Sequence, residues 1–146
     1  MFWTHIICGQ ITGTGQAQGL HTETPTSNWP SCVSGGSCSY YSDGNGECSN
    51  FYIYDATTQT NVPKSFSTLF SLDISAKNLV GYLQNIANQC GQTTSFCATG
   101  CTYANYQIPF SIYFHMVDRG ILSAYPVYGG CPTSNTCANP SSCQNM

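Results

Sequence analysis

The residues best equipped for chemistry are ten cysteines in a chain of 146: Cys8, Cys32, Cys38, Cys48, Cys90, Cys97, Cys101, Cys131, Cys137 and Cys143. At this density the choices are metal binding, thiol–disulfide exchange or structural cross-linking. Zinc sites and redox centres use closely paired thiolates, typically Cys-x-x-Cys. That spacing does not occur here, and His5, His21 and His115 are too scattered to complete a ligand set. Structural disulfides remain. The even count allows five bridges, and spacing alone does not choose their pairing. The cysteines fall into the groups 32/38/48, 90/97/101 and 131/137/143, with Cys8 apart. Odd-membered groups require bridges between groups, which close long loops and contribute about 2–5 kcal/mol each.

Other reactive side chains form no comparable pattern. The six carboxylates are Glu23, Asp43, Glu47, Asp55, Asp73 and Asp118. Glycoside hydrolysis needs two carboxyl groups held across one bond, and no two of these share a strand or helix face by spacing. Asp43, Asn45 and Glu47 alternate with glycines, as oxygen ligands do at the start of a Ca²⁺ loop. The distal carboxylate of an EF-hand is missing, so a turn before Cys48 is the simpler reading. No Gly-x-Ser-x-Gly elbow is present. No catalytic residue can be assigned, and no cofactor is expected.

Charge narrows the function classes. Only nine residues are Asp, Glu, Lys or Arg, 6% of the chain, and the formal net charge is −3. Phosphate binding needs clustered Lys and Arg, which excludes a nucleic-acid partner. No apolar run approaches the roughly 18 residues of a membrane span. Disulfides persist in oxidising compartments, so the chain reads as secreted and extracellular. Met1–Cys8 lacks a basic stretch and is broken by Thr4 and His5, so it does not read as a leader; the expectation is that Met1 is not the natural start or that a leader has been removed. Solubility without charge points to O-linked sugars on the Ser/Thr/Pro stretches, with Thr22, Thr24, Thr26, Thr133 and Thr136 as candidate acceptors. Near-neutral surfaces also associate, so another copy of this chain is an expected partner.

These side chains need a scaffold. Residues 1–19 read as an extended segment, and residues 20–50 as stapled loops. Phe51–Tyr54 reads as a strand with Tyr52 and Tyr54 on one face, followed by a polar connection to Pro63 and a second strand from Phe66 to Ile74. Ser75 can cap a helix near 75–90, with apolar residues at three- and four-residue steps and Gly91 as its stop. Ile108–Val117 alternates as a strand, Asp118-Arg119-Gly120 turns, and Ile121–Tyr128 returns, with Pro126 marking an edge. Residues 20–128 form the body of the domain, and 129–146 form a Cys-stapled tail. The expected class is mainly β with one helix, a disulfide-stapled sandwich-like or small barrel domain with long loops.

Leu20-His-Thr-Glu-Thr-Pro25, followed by Trp29-x-x-Cys32-x-Ser-Gly-Gly-Ser-Cys38, resembles the mature N-terminus of fungal family 7 cellobiohydrolases. Ile112-Tyr-Phe and Ser123-Ala-Tyr-Pro126 loosely resemble a second strand pair of that family. The resemblance implies a β-sandwich and a carbohydrate-rich setting. The family's catalytic Glu-x-Asp-x-x-Glu strand has no counterpart here, so no catalytic residue carries over. Two functions follow as expectations. The first is a self-assembling structural protein of a fibril or surface layer, with residues 1–19 lent to a neighbour as a donor strand anchored by Phe2, Trp3, Ile6 and Ile7. The second is a carbohydrate-binding or cellulase-like domain acting on polysaccharide, which stacks sugars on Trp29, Tyr40, Tyr41, Tyr52 and Tyr54.

Overall fold

The helix forms where the apolar spacing requires it. In the computed structural model, α1 spans Ala76–Cys90 and buries Leu79, Val80, Leu83 and Ile86. The Ser75 hydroxyl accepts the Asn78 N–H at 3.2 Å, capping the first turn. Gly91, in the left-handed region at φ 63°, donates its N–H to Ala87 O and ends the helix. The structure describes residues 10–11, 16–18, 21 and 33–146. Cys8, Cys32, Phe2, Trp3, Ile6, Ile7, Trp29, Thr22, Thr24 and Thr26 lie outside the described residues.

The described chain is mainly β. Strands β1 (Gln10–Ile11) and β2 (Ala17–Gln18) pair with each other. Strands β3 (Val33–Tyr40), β4 (Gly46–Asp55) and β5 (Thr60–Leu69) form an antiparallel meander in that order. The second large sheet contains β6 (Phe96–Cys101), β7 (Phe110–Val117), β8 (Gly120–Val127) and β9 (Thr136–Ala138), in the order β8-β7-β6-β9. Its β6–β9 pairing is parallel and the others are antiparallel. Both sheets are open; no barrel closes among the described residues. α1 packs across the second sheet, where Leu79, Leu83 and Ile86 meet Phe96, Ile112 and Phe114 in one buried cluster. Val33, Cys48, Phe51, Ile53 and Leu69 form a separate, smaller cluster under the meander.

Period-two alternation is realised in β7: Phe110, Ile112 and Phe114 are buried while His115 is exposed. Asp118 and Arg119 both adopt positive φ (52° and 65°), as a two-residue type I′ hairpin turn demands. Pro126 lies in β8, an edge strand, where its missing N–H leaves no ladder bond unmade.

Other boundaries differ from the sequence expectation. Residues 33–40 and 46–50 are strand, not loop. Ser and Gly give β3 little β-propensity of its own, so its place in the sheet rests on pairing with β4. The strand expected from Phe66 to Ile74 is β5, the third of the meander, which starts at Thr60 and stops at Leu69. Pro63 is accommodated because β5 is an edge strand. Beyond Phe70, the Ser71 hydroxyl accepts the Asp73 N–H at 3.1 Å and turns the chain toward the helix cap. Strands β6 and β9 were not expected at all.

Four disulfides join described residues: Cys38–Cys48, Cys90–Cys137, Cys97–Cys131 and Cys101–Cys143. The last three tie residues after 130 back to α1 and β6. Those residues also supply β9 to the sheet, and Cys143 and Met146 to its core. No helix among the described residues is long and apolar enough to cross a membrane.

Candidate functional site

A local irregularity in β4 decides which side chains face solvent. Gly46 and Cys48 are buried, and so are Phe51 and Ile53, so the inward parity changes between them. Asn50 absorbs the change at φ 56°. Tyr52 and Tyr54 therefore point outward, each 44% exposed, and Phe66 joins them at 47%. Phe66 lies opposite Ser49, so the three rings follow the strand at separations of about 7 and about 10 Å at 3.3 Å per residue. Ser34 and Pro63 flank Tyr52, and Asn61 flanks Tyr54. Of the chain's cations, Lys64 neighbours the row, lining a depression with Tyr52 and Pro63. Lys64 projects inward 6.0 Å from the Phe51 ring centroid, Lys77 is on α1, and Arg119 is in the β7–β8 turn.

The other aromatic candidates separate from this row. Tyr40 is half-buried against the meander cluster. Tyr41 is exposed but meets Tyr128 edge-on at 5.2 Å. Thus Tyr52 and Tyr54 share a face and Tyr40 does not. Phe66 lies outside the aromatic set read from the sequence, because its facing depends on its register opposite Ser49.

The Asp43–Glu47 segment runs from the β3–β4 turn into the start of β4. Asp43 Oδ1 accepts the Asn45 N–H at 2.9 Å, an Asx turn. Asn45 is fully buried, and its Oδ1 accepts the Tyr103 hydroxyl at 2.5 Å. Tyr103 Oη in turn accepts the Ser71 N–H at 3.1 Å. Burial pushes the Tyr103 hydroxyl pKa far above the usual tyrosine value, keeping it a neutral donor. Nearby, the Tyr128 hydroxyl donates to Gly46 O at 2.9 Å, and Tyr106 donates to Asp73 Oδ2 at 2.7 Å. The Asp43 and Asn45 oxygens, read as candidate Ca²⁺ ligands, thus serve turn closure and inter-sheet contact. Among the described residues, no group of three or more His, Cys, Asp or Glu side chains could hold a metal ion.

Sequence spacing also hid a buried polar chain. His21 Nδ1–H donates to Thr68 O at 2.9 Å, with Ser67 Oγ at 3.3 Å from the same nitrogen. Lys64 Nζ donates to Ser67 Oγ at 3.4 Å. Burial lowers the Lys64 ammonium pKa to about 8. A serine, a histidine and a basic lysine invite a hydrolase reading, but His21 Nδ1 is committed as a donor to the carbonyl. It cannot take a proton from Ser67 without giving up that bond, and Ser67 is buried. The arrangement satisfies buried polar groups and joins residue 21 to β5.

The chain matches no family model, no curated protein and no solved structure. Function therefore rests on the geometry. Of the residues resembling the cellobiohydrolases, 33–38 lie in β3 and 112–126 lie in the β7–β8 hairpin. Among the candidate glycan acceptors, Thr136 is exposed on β9, and its hydroxyl donates to Thr133 O at 3.3 Å. Thr133 Oγ1 accepts the Asn135 N–H at 3.1 Å.

Proposed function

We propose that this protein is a secreted structural module that associates with further copies of itself through the outer face of the β3–β4–β5 sheet. The observation that carries the reading is the row Tyr54–Tyr52–Phe66, with three large rings 44–47% exposed on one face. Contiguous exposed apolar surface of this kind marks interaction sites. With a net charge of −3 on 146 residues, little electrostatic repulsion opposes self-contact. Disulfides suit an oxidising exterior.

Strand donation by residues 1–19, anchored on Phe2, Trp3, Ile6 and Ile7, belongs to the same reading as a second route of assembly. Sedimentation and electron microscopy should show concentration-dependent assembly that a Tyr52→Ser, Tyr54→Ser, Phe66→Ser variant loses. Loss on deleting residues 1–19, with that triple variant unaffected, would move the contact to the donated strand. Assembly by neither route would discard the proposal.

The spacing of the rings also favours a second reading, attachment to an extended polysaccharide. Hydroxyl and amide side chains (Ser34 and Asn61) flank the rings, and the partial cellobiohydrolase resemblance points to a glycan-rich setting. Saturable pull-down of monomer by cellulose or chitin, lost in the same triple variant, would promote it.

A further inference from the structure

A groove of about 540 Å³ lies between the C-terminal half of α1 and the β7–β8 hairpin, and no residue of the Tyr52–Phe66 face lines it. Gln84 and Asn88, one helical turn apart, form one wall; Ala87, Met116 and Ile121 give an apolar floor; Arg119 stands on the hairpin side. We propose that this groove binds the free C-terminal end of a peptide, with Arg119 holding the carboxylate, Gln84 and Asn88 pairing with the backbone, and Met116 and Ile121 receiving an apolar terminal side chain.

Charge supports that orientation. The groove lining contains no Asp or Glu, and Arg119 is its one charge, although the chain as a whole is anionic. Asp118 precedes Arg119 in the turn but does not line the groove. A guanidinium presents a planar fork that matches a carboxylate. The tight turn fixes its root, because Arg119 is held at φ 65° between paired strands. A register shift between His115 and Met116 lies beside the groove, where a bulge can re-aim a side chain. Met116 and Ile121 remain half-buried against the main cluster, leaving part of each side chain for a ligand. Methionine adapts readily to varied apolar shapes.

Amide side chains suit a peptide backbone because each offers both donor and acceptor. A saccharide is less well served, since no aromatic ring lines the groove. Met146 is not the occupant: it is buried and its N–H donates to Thr102 O at 2.8 Å. The volume is within the usual range for a small-ligand site, about 300–1,000 Å³.

The test uses the full chain and fluorescein-labelled Gly-Ser-Gly-Xaa peptides, with Xaa varied, each as free acid and as carboxamide. Fluorescence polarisation should show apolar-ended acids binding about tenfold or more tightly than their amides, a preference that fades as salt screens the contact. Arg119→Asn, a residue that tolerates positive φ, should abolish the preference, while Asn88→Ala should weaken acid and amide alike. Equal binding of both forms overturns the proposal, as does a preference that survives Arg119→Asn in a variant whose circular dichroism is unchanged. Absence of saturable binding by every peptide up to millimolar concentration, or tighter binding of a digalacturonate probe, would overturn it too.

Discussion

The meander and the helix-backed sheet are held together by different means. The meander pairs by successive hairpins, so its contacts are local, and its one disulfide among the described residues links Cys38 to Cys48, directly opposite residues ten apart. The second sheet places β6 parallel to β9, and bridges with sequence separations of 34, 42 and 47 join its halves. Among the described residues, five buried ones make up the meander cluster and fifteen make up the other. Covalent links are concentrated where strand pairing must bring together distant segments and chain entropy opposes it most.

Removing bridges gives the largest expected contrast. Loop-closure entropy assigns about 4 kcal/mol to a loop the size of that between Cys101 and Cys143. The neighbouring bridges shorten the effective loop, but both sulfurs are fully buried and their packing is lost as well. A Cys101→Ala, Cys143→Ala variant should lose about 4 kcal/mol in urea unfolding, and Cys38→Ala, Cys48→Ala about 3 kcal/mol. Equal losses would erase the distinction. Thiol titration of the native protein should find no more than two free thiols, because eight of the ten cysteines are paired as described.

The next prediction concerns the joint. Tyr103 packs in the larger core, yet its hydroxyl bonds Asn45 of the meander turn and Ser71 beyond β5. Tyr103→Phe leaves a buried carbonyl oxygen and a buried N–H without this partner, at about 2–3 kcal/mol. It should also reduce cooperativity. Single tryptophan or tyrosine probes placed in each sheet should then report separated urea midpoints where the parent shows one. Coincident midpoints would mean that the two clusters are coupled by other contacts.

How much of this was legible in the sequence follows the same divide between local and distant. The helix could be read because Ser75, Gly91 and the apolar face all lie within one segment. The β7–β8 hairpin could be read because alternation and turn adjoin. The shared face of Tyr52 and Tyr54 follows from period two, whereas its turning outward depends on the parity change at Asn50. Strand β3 could not be read, because Gly and Ser leave no pattern and its partner decides its conformation. The three-residue β9 depends on β6, some 40 residues away. The His21–Ser67 contact spans 46 residues and the Asn45–Tyr103 contact 58. The peptide groove likewise needs α1 and the β7–β8 hairpin brought together, which no spacing rule announces.

Lys64 distinguishes the two regions by pH. Its folded pKa, about 8, lies below the unfolded value of 10.5 because burial disfavours the charged form. Below about pH 8 both states carry the proton and the penalty is fully present; between about pH 8 and 10 the folded state releases it first, so stability rises with pH. Partial exposure reduces the effect to about 1–2 kcal/mol. Above about pH 10 the sign reverses, since folded Tyr41, Tyr106 and Tyr125 hold their protons longer than unfolded tyrosine does. Urea midpoints measured from about pH 7 to 9.5 should rise in the parent and stay flat in Lys64→Met. A flat parent profile would place the ammonium in water.

The smallest effect isolates backbone entropy within the helical half. Gly81 sits inside α1, and a Cβ built there meets nothing within 4 Å. Glycine gives up more backbone freedom on folding than alanine and disfavours a helix interior by about 0.8–1 kcal/mol. Gly81→Ala should therefore raise stability by about that amount without altering any contact. The meander offers no equivalent at Gly36, where φ is 86° and a Cβ would approach the Phe51 Cβ to 2.8 Å. Glycine in β3 permits a close crossing of β4; glycine in α1 gains the fold no contact at all. If Gly81→Ala destabilised the protein, the side of α1 at Gly81 would have to be covered by a surface that a methyl group disturbs, and the helix would not be free there as drawn.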